Sequence, residues 1–325
     1  MQWMEWPVSE TSNRWSLLAE EANARARDLM DWFNPGLEDI PVETLKERYC
    51  DHRSRFIEVD GLSVHYHDLG EDQSDKPPLL LLHGLMSSLF CWEGWAPFLA
   101  ENRRVIALDI PPFAITGPHP DGRLDEQTYM RLLQGFADKL GLEQFIAVGN
   151  SLGGFLAWRL AVEMPDRVLA VGLLDPAGGT VKLPLAVSAF KIPLVGQAYQ
   201  SVTPKAAVLA GQLSMFGDPK RLDPASLHRI YDLIMREGSR ASVQDNLRFL
   251  DKPDPDMLCA IQCPVYLQWG EADALLPMRD NMPGFTARVP DLRVRTYPGA
   301  GHMPMEEIPA QSLLDFETFL HNSGF

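Results

Sequence analysis

After residue 78 the sequence repeats one arrangement, in which a short and nearly uninterrupted apolar run is followed by a segment of helical character. Strands that are buried on both faces have such runs, whereas half-exposed strands alternate apolar and polar residues. The arrangement predicts an α/β fold with a mainly parallel, doubly wound sheet flanked by helices. The predicted strands cover residues 79–82, 105–108, 145–148, 168–174, 265–269 and 292–297.

Two departures from this alternation set the expected domain boundaries. Residues 56–67 are strand-like on both sides of Asp60-Gly61, which predicts an antiparallel hairpin at the start of the sheet. Residues 176–256 lack the alternation and are rich in Leu, Val, Met and Phe, with several interrupting prolines. We therefore expect a core of residues 54–175 and 257–325, with residues 176–256 inserted as a helical cap.

Residues 1–53 precede this core as a helical extension. Its apolar residues recur at three- and four-residue steps and stop at Asn34-Pro35-Gly36, which predicts an amphipathic helix. We expect this helix to pack on the core, with a homodimer contact through the extension as the alternative. Membrane-surface docking is disfavoured because acidic residues dominate the polar face. The apolar positions are Trp15, Leu18, Ala22, Ala26, Leu29 and Phe33.

A serine lies between the run at 145–148 and the next helical segment, in Gly149-Asn150-Ser151-Leu152-Gly153-Gly154. A serine at such a tight turn has a strained backbone that exposes its hydroxyl, and flanking glycines avoid collisions with the neighbouring strand and helix. The Leu152 N–H, at the helix start, is directed at the place where an oxyanion would form. The motif predicts Ser151 as a nucleophile and Leu152 N–H as an oxyanion donor.

The loop after residues 79–82 is expected to supply a second oxyanion donor. It reads His83-Gly84-Leu85-Met86. Gly84 lets the backbone approach a substrate, so the N–H of Leu85 is the natural partner of Leu152 N–H. We expect His83 to be structural.

A serine nucleophile needs a base that is neutral near pH 7, which selects histidine. Of the eight histidines, His302 is the best candidate, because it lies in a glycine-rich loop after residues 292–297. The acid that orients it is expected to be Asp273, which follows the run at 265–269. Glu271 and Asp175 are rival acids.

From about Arg55 to Leu320 the sequence resembles the α/β-hydrolase superfamily, whose triad has the chain order Ser, Asp, His. The serine turn, the His83-Gly84 pair and the loop at 298–303 are similar to those of capped esterases and monoacylglycerol-lipase-like members. The serine turn also resembles that of the carbon–carbon bond hydrolases of aromatic degradation. Haloalkane dehalogenases and epoxide hydrolases share the architecture but have an aspartate at the turn, so Ser151 argues against both.

One stretch departs from the family pattern. Such enzymes usually have Asp-x-Pro-Gly-x-Gly-x-Ser after the strand that is 105–108 here, and Pro112 and Ala114 replace the two glycines. Proline has a fixed φ and no N–H, so we expect a different local turn and pocket wall.

The motifs and the resemblance together imply a serine hydrolase that cleaves carboxylic esters through an acyl-enzyme on Ser151, with no cofactor and no metal. Carbon–carbon bond hydrolysis and acyl transfer by the same residues are alternatives, and a non-catalytic binding protein is a remote one. Because the cap is apolar, we expect an apolar acyl group. Its expected contacts are Met86, Phe190, Ile192, Leu194, Tyr199, Leu209, Leu213, Met215, Phe216 and Met303.

The composition limits the partners. A formal net charge of -15 argues against binding to nucleic acid or to an anionic membrane. No stretch approaches the ~20 apolar residues that span a bilayer, and the N-terminus does not resemble a secretory signal. Four scattered cysteines do not suggest a disulfide framework. We expect a cytoplasmic protein with a small-molecule ester substrate.

Overall fold

Eight strands form one sheet in the computed structural model, which describes residues 33–70, 76–122, 124–180, 192–246 and 254–325. The strands are β1 (Ser54–Val59), β2 (Leu62–Leu69), β3 (Leu79–Leu82), β4 (Val105–Leu108), β5 (Phe145–Asn150), β6 (Val168–Leu174), β7 (Val265–Gly270) and β8 (Leu292–Tyr297). Their order across the sheet is β1-β2-β4-β3-β5-β6-β7-β8. The β1–β2 and β2–β4 pairs are antiparallel and the others are parallel. The predicted mainly parallel sheet, which begins with an antiparallel hairpin, is confirmed.

Helices flank this sheet and occupy most connections between its parallel strands. In the part of the chain that the structure describes, no helix has the length and apolar composition needed to cross a membrane. The helices outside the β6–β7 connection are α1 (Val42–Tyr49), α2 (Ala96–Leu99), α3 (Glu126–Lys139), α4 (Leu152–Glu163), α9 (Met278–Thr286), α10 (Pro304–Glu307) and α11 (Pro309–Asn322). Short 3-10 turns cover Leu89–Trp92, Pro219–Arg221 and Pro255–Ala260.

The central strands are buried on both faces. All four leucines of β3 have no exposed surface, which explains why this strand has a continuous apolar run. Four tryptophans, Trp92, Trp95, Trp158 and Trp269, are fully buried among the surrounding helices and loops. The loops at the carboxyl edge of the sheet therefore begin at strand ends that tight packing holds in place.

The described residues of the connection between β6 and β7, where a helical cap is predicted, form four helices. They are α5 (Pro193–Ser201), α6 (Lys205–Leu213), α7 (Pro224–Ile234) and α8 (Ser239–Asn246), and we call residues 192–246 the cap. Prolines mark helix starts here: Pro193 and Pro224 are the first residues of α5 and α7, and Pro204 precedes α6. A proline in the first turn loses no helical hydrogen bond.

Residues 34–41 form a strap along the cap. The N–H of Ile40 donates to the carbonyl of Met235 at 2.7 Å, and the carbonyl of Ile40 accepts from Glu237 N–H at 2.9 Å. The N–H of Thr203 donates to Gly36 O at 3.1 Å. Helix α1 follows the strap within the predicted extension. The predicted helix from Trp15 lies outside the described residues except for its last residue, Phe33, which is 77% exposed.

Candidate active site

Ser151 lies between β5 and α4 with φ +55° and ψ -115°, a backbone conformation that L residues rarely adopt. The two neighbouring glycines allow this turn. A Cβ on Gly149 would come within 2.1 Å of Gly153 O, and a Cβ on Gly153 would come within 2.1 Å of Leu82 O. The glycines therefore permit the close approach of helix and strand that places the serine at the end of β5.

His302 is bound to Asp273 through one ring nitrogen. Nδ1 lies 2.7 Å from Asp273 Oδ2, and Asp273 Oδ1 accepts from the N–H groups of Leu275 and Leu276, both at 2.8 Å. A carboxylate accepts, so Nδ1 carries the proton and Nε2 is left free to accept one. No hydrogen bond between described residues links the imidazole to the Ser151 hydroxyl. Such bonds are often long in unliganded enzymes.

The two rival acids do not occupy this position. Glu271 is exposed and accepts from Thr296 Oγ1 at 2.8 Å. Asp175 is buried, and its Oδ1 accepts from Gly270 N–H at 2.9 Å. Among the ionisable side chains that the structure describes, Asp175, Asp273 and His302 form the one group whose spacing would suit a metal ion, with one ligand atom from each within 4.8 Å of the others. The 2.7 Å Nδ1–Oδ2 contact is already that of a hydrogen bond.

Two further residues fix the histidine loop, and the sequence motifs predict this role for neither. The amide Nδ2 of Asn150 donates to His302 O at 3.0 Å and to Leu174 O at 3.1 Å. The buried carboxylate of Glu307 accepts from Gly301 N–H at 2.7 Å. It also accepts from two cap N–H groups, those of Gly217 at 3.0 Å and Asp218 at 2.9 Å.

The two predicted oxyanion donors have no acceptor among the described residues: neither Leu85 N–H nor Leu152 N–H forms a protein hydrogen bond. Leu152 N–H is at the first position of α4. His83, before Leu85, donates from Nδ1 to Gly84 O at 2.7 Å and accepts at Nε2 from Ile110 N–H at 2.8 Å. Burial lowers the pKa of His83, so it is neutral and holds this loop in place.

A cavity of about 380 Å³ lies between the serine turn, the histidine loop and the cap. Both Ser151 and His302 line it. The described lining contains no Asp, Glu, Lys or Arg, and most of the surface that faces the cavity is apolar. Its remaining lining residues are Gly84, Leu85, Met86, Ser87, Asn150, Tyr199, Thr203, Pro204, Ala207, Val208, Gly211, Gln212, Ser214, Met215, Ala274, Leu275 and Met303.

The predicted acyl contacts separate into two groups. Met86, Tyr199, Met215 and Met303 line the cavity. The others that the structure describes do not, because Leu209 and Phe216 are buried in the core, Leu213 packs against it, and Ile192 and Leu194 are exposed. Phe190 lies outside the described residues.

One face of α6 supplies much of the cavity wall. Pro204, Ala207, Val208 and Gly211 follow a three- and four-residue spacing, which places them on one side of a helix. These residues are small, so a search for large apolar side chains overlooks them. The spacing is the signal that could have identified this wall.

The turn with the substituted glycines is held by a buried ion pair. Asp109 Oδ2 lies 2.7 Å from His65 Nδ1, and Asp109 Oδ1 accepts from Leu89 N–H at 2.9 Å. Ala114 has φ +51°, in the left-handed region that favours glycine. It lines a small neighbouring space with Phe113 rather than the main cavity.

Residues 77–309, well over half of the chain, match the alpha/beta hydrolase fold family. The chain belongs to the α/β-hydrolase family. The match contains Ser151, Asp273 and His302, and it confirms the superfamily resemblance of the motifs. One fold supports many reactions, so family membership leaves the substrate open.

Similar α/β hydrolases differ in what their names say they do. YugF of Bacillus subtilis, an uncharacterized hydrolase, is 25% identical over 267 residues, which are 81% of this chain and 97% of YugF. The 2-hydroxy-6-oxo-6-phenylhexa-2,4-dienoate hydrolase of Burkholderia cepacia is 27% identical over 274 residues, which are 77% of this chain and 90% of that enzyme. A membrane phospholipase A of known structure, a bacterial virulence factor, has a TM-score of 0.70 and 24% identity, covering 96% of this chain and 99% of that one. At this identity the structural likeness shows the shared fold alone.

Proposed function

We propose that this α/β hydrolase cleaves uncharged carboxylic esters with an apolar acyl group, using Ser151, His302 and Asp273. The observation that carries the proposal is the position of Ser151 and His302 in the wall of a cavity whose described lining has no acidic or basic side chain except the histidine. The 2.7 Å hydrogen bond that His302 Nδ1 donates to Asp273 supports the same roles, because it leaves Nε2 able to take a proton.

The reaction follows from this arrangement. Ser151 Oγ attacks the ester carbonyl carbon while His302 Nε2 takes the hydroxyl proton, and the carbonyl oxygen becomes an oxyanion bound by the N–H groups of Leu85 and Leu152. When the oxyanion collapses, the alcohol leaves with the proton from His302. Water attacks the acyl-enzyme by the same steps, which releases the acid and restores Ser151.

The charge of the cavity favours an ester over a carbon–carbon bond substrate. The dienoate named for the Burkholderia cepacia relative is a carboxylate and is anionic at neutral pH. A buried carboxylate needs a cationic or strongly donating partner. Because no Lys or Arg is among the described lining residues, an uncharged substrate fits better.

A panel of p-nitrophenyl esters from acetate to palmitate tests the proposal, with a serine-reactive phosphonate as inhibitor. The sharpest comparison is between the butyrate ester and the hemisuccinate ester, which have similar length but differ by one carboxylate. We expect kcat/KM to be roughly 100-fold higher for the butyrate, because an unpaired buried charge costs several kcal/mol.

Other outcomes would contradict the proposal. Turnover of a ring-cleavage dienoate without turnover of any ester would assign carbon–carbon bond hydrolysis. Formation of a new ester from an added alcohol, in preference to the free acid, would assign acyl transfer. Absence of both turnover and phosphonate labelling would indicate a binding protein on this fold.

A further inference from the structure

Asp175 is a buried acid whose second oxygen has no hydrogen-bond partner among the residues that the structure describes. It follows β6 with φ +43° and has no exposed surface. Its Oδ1 accepts from Gly270 N–H at 2.9 Å. Its Oδ2 is buried, and no described residue forms a hydrogen bond with it. An unpaired carboxylate oxygen in the interior is costly, so this oxygen needs either a donor or a proton of its own.

The surroundings of Asp175 are acidic. The titratable groups that act on it are Asp273 and Glu307, and the His302 ring nitrogen lies within 4.8 Å as well. Asp273 is already bound to His302 and to two N–H groups of its own loop, and Glu307 binds three N–H groups. Burial and the adjacent Asp273 carboxylate raise the pKa of Asp175 well above its usual range.

We propose that Asp175 is a neutral carboxylic acid that donates from Oδ2 to the Asp273 carboxylate, and so acts as a positioning residue for His302. The part of this inference that concerns His302 as the catalytic base rests on the proposed function. Two ionised carboxylates cannot hydrogen-bond to each other, whereas one proton between them gives Asp175 Oδ2 a partner. Asp175 touches no reacting atom in this scheme. It acts through Asp273.

The added donor has a chemical consequence at the histidine. It withdraws negative charge from Asp273, so that Asp273 stabilises the protonated imidazole less strongly. The acid limb of the kcat/KM profile, where activity falls as the pH is lowered, then lies at lower pH than it would without the donor.

Asp175→Asn and Asp175→Ala distinguish this role from a purely structural one. An asparagine tolerates the positive φ and offers an N–H where the acid offers its O–H, so we expect Asp175→Asn to keep kcat within a few-fold and to leave the acid limb in place. Asp175→Ala removes the donor and should move the acid limb to higher pH. Exposed Glu271→Gln, at the end of the neighbouring strand, is the matched control for loss of a carboxyl group and should move nothing.

Two measurements without substrate keep the test independent of the proposed function. The infrared difference spectrum of wild type minus Asp175→Asn should contain a protonated carboxyl band at neutral pH, and that of wild type minus Glu271→Gln should contain none. Burial raises the pKa of Glu306 to about 8, so its band is present in every variant and cancels in both differences. The melting temperature of Asp175→Asn relative to wild type should rise between pH 4 and pH 8, because only wild-type unfolding then releases the Asp175 proton.

Several results would overturn the inference. A downward shift of the acid limb in Asp175→Asn would mean that the substitution removes a charge, and hence that Asp175 is ionised. If the melting-temperature difference between Asp175→Asn and wild type does not change with pH, and the infrared difference spectrum has no carboxyl band, Asp175 is ionised. Neither measurement needs an activity assay. Failure of phosphonate labelling at Ser151 with the band present would contradict the proposed function while leaving the protonated acid intact.

Discussion

The Asn150 side chain donates a hydrogen bond to the main-chain carbonyl of His302, so the residue before the serine holds the loop that carries the histidine, 152 residues later in the chain. The same amide binds Leu174 O at the end of β6. Three chain segments thus meet at one buried side chain, which sets the distance between the serine turn and the imidazole.

Replacing Asn150 with alanine should lower kcat by about 10- to 100-fold with a smaller effect on KM. The substitution frees the His302 loop to shift, and small displacements of catalytic groups lower the rate by this order. Asn281→Ala is the matched control, since Asn281 is also buried and donates to a carbonyl, that of Pro277, at 3.0 Å. Steady-state kinetics of both variants decide the matter. Equal kcat values would show that Asn150 contributes only to stability.

Ser151→Ala should abolish ester turnover, with a loss on the order of 10³-fold or more in kcat, because it removes the nucleophile. The fold should persist, since an alanine fits where the serine does. Mass spectrometry after phosphonate treatment should find the label on Ser151 in the wild type and nowhere in the variant. Full activity with a label on another residue would refute the assignment.

Asp273→Asn should lower kcat by up to about 10⁴-fold, because an amide at this position favours the wrong imidazole tautomer. The two N–H groups that bind Asp273 Oδ1 can still bind the amide oxygen, so the loop should keep its shape. The loss should far exceed that of Asp175→Asn, measured under the same conditions. A reversed ranking would make Asp175 the orienting acid.

Gly211 offers a way to shorten the acyl site. It lines the cavity from α6, and a Cβ added there meets no atom within 4 Å. Gly211→Leu should therefore fold and shift the preferred p-nitrophenyl ester to shorter chains. Gly211→Ala, its control, should keep the preference and gain roughly 0.5–1 kcal/mol in the free energy of unfolding, because alanine favours the helix. An unchanged chain-length profile in Gly211→Leu would place the acyl group elsewhere.

The His65–Asp109 pair should make the free energy of unfolding depend on alkaline pH. Burial alone lowers the pKa of His65, but the Asp109 carboxylate overcomes this and raises it to about 9. The pair's contribution, about 3 kcal/mol by linkage, is thus present below pH ~6.5 and lost as pH rises through about 9.

Urea unfolding of wild type and His65→Gln at several pH values measures this contribution, and the difference should shrink between pH 7 and pH 10. His67→Gln is the control, because burial and the neighbouring His65 lower the pKa of His67 to about 4, so it is neutral throughout that range. A difference that stays constant with pH would mean that His65 is uncharged in the folded protein.

The parallel strands and the serine turn could be predicted from the sequence because both leave local patterns. A strand such as β3, buried on both faces, must be apolar at every position. The glycines around Ser151 are needed because a Cβ at either one would collide with backbone atoms. These requirements act within a few residues of the chain and are visible without a structure.

The cavity wall and the supporting hydrogen bonds could not be predicted in the same way. Leu213 is the last residue of α6 and Met215 lies in the turn after it, yet only Met215 lines the cavity. The packing of α6 and of this turn on the core decides which side chain faces the serine. Glu307 binds backbone groups from the cap and from the histidine loop, and no motif marks it. Such contacts depend on how distant segments pack.

The strap has a consequence for how substrates reach Ser151. Main-chain hydrogen bonds join it to the early cap at Thr203 and to the late cap at Met235 and Glu237. The strap continues through α1 into β1 of the sheet, so it ties both parts of the cap to the core. A hinge rotation of the whole cap away from the core would have to break these bonds or displace α1 and β1. We therefore expect access to depend on side-chain rotations at the cavity mouth, which take picoseconds to nanoseconds, rather than on slow domain opening.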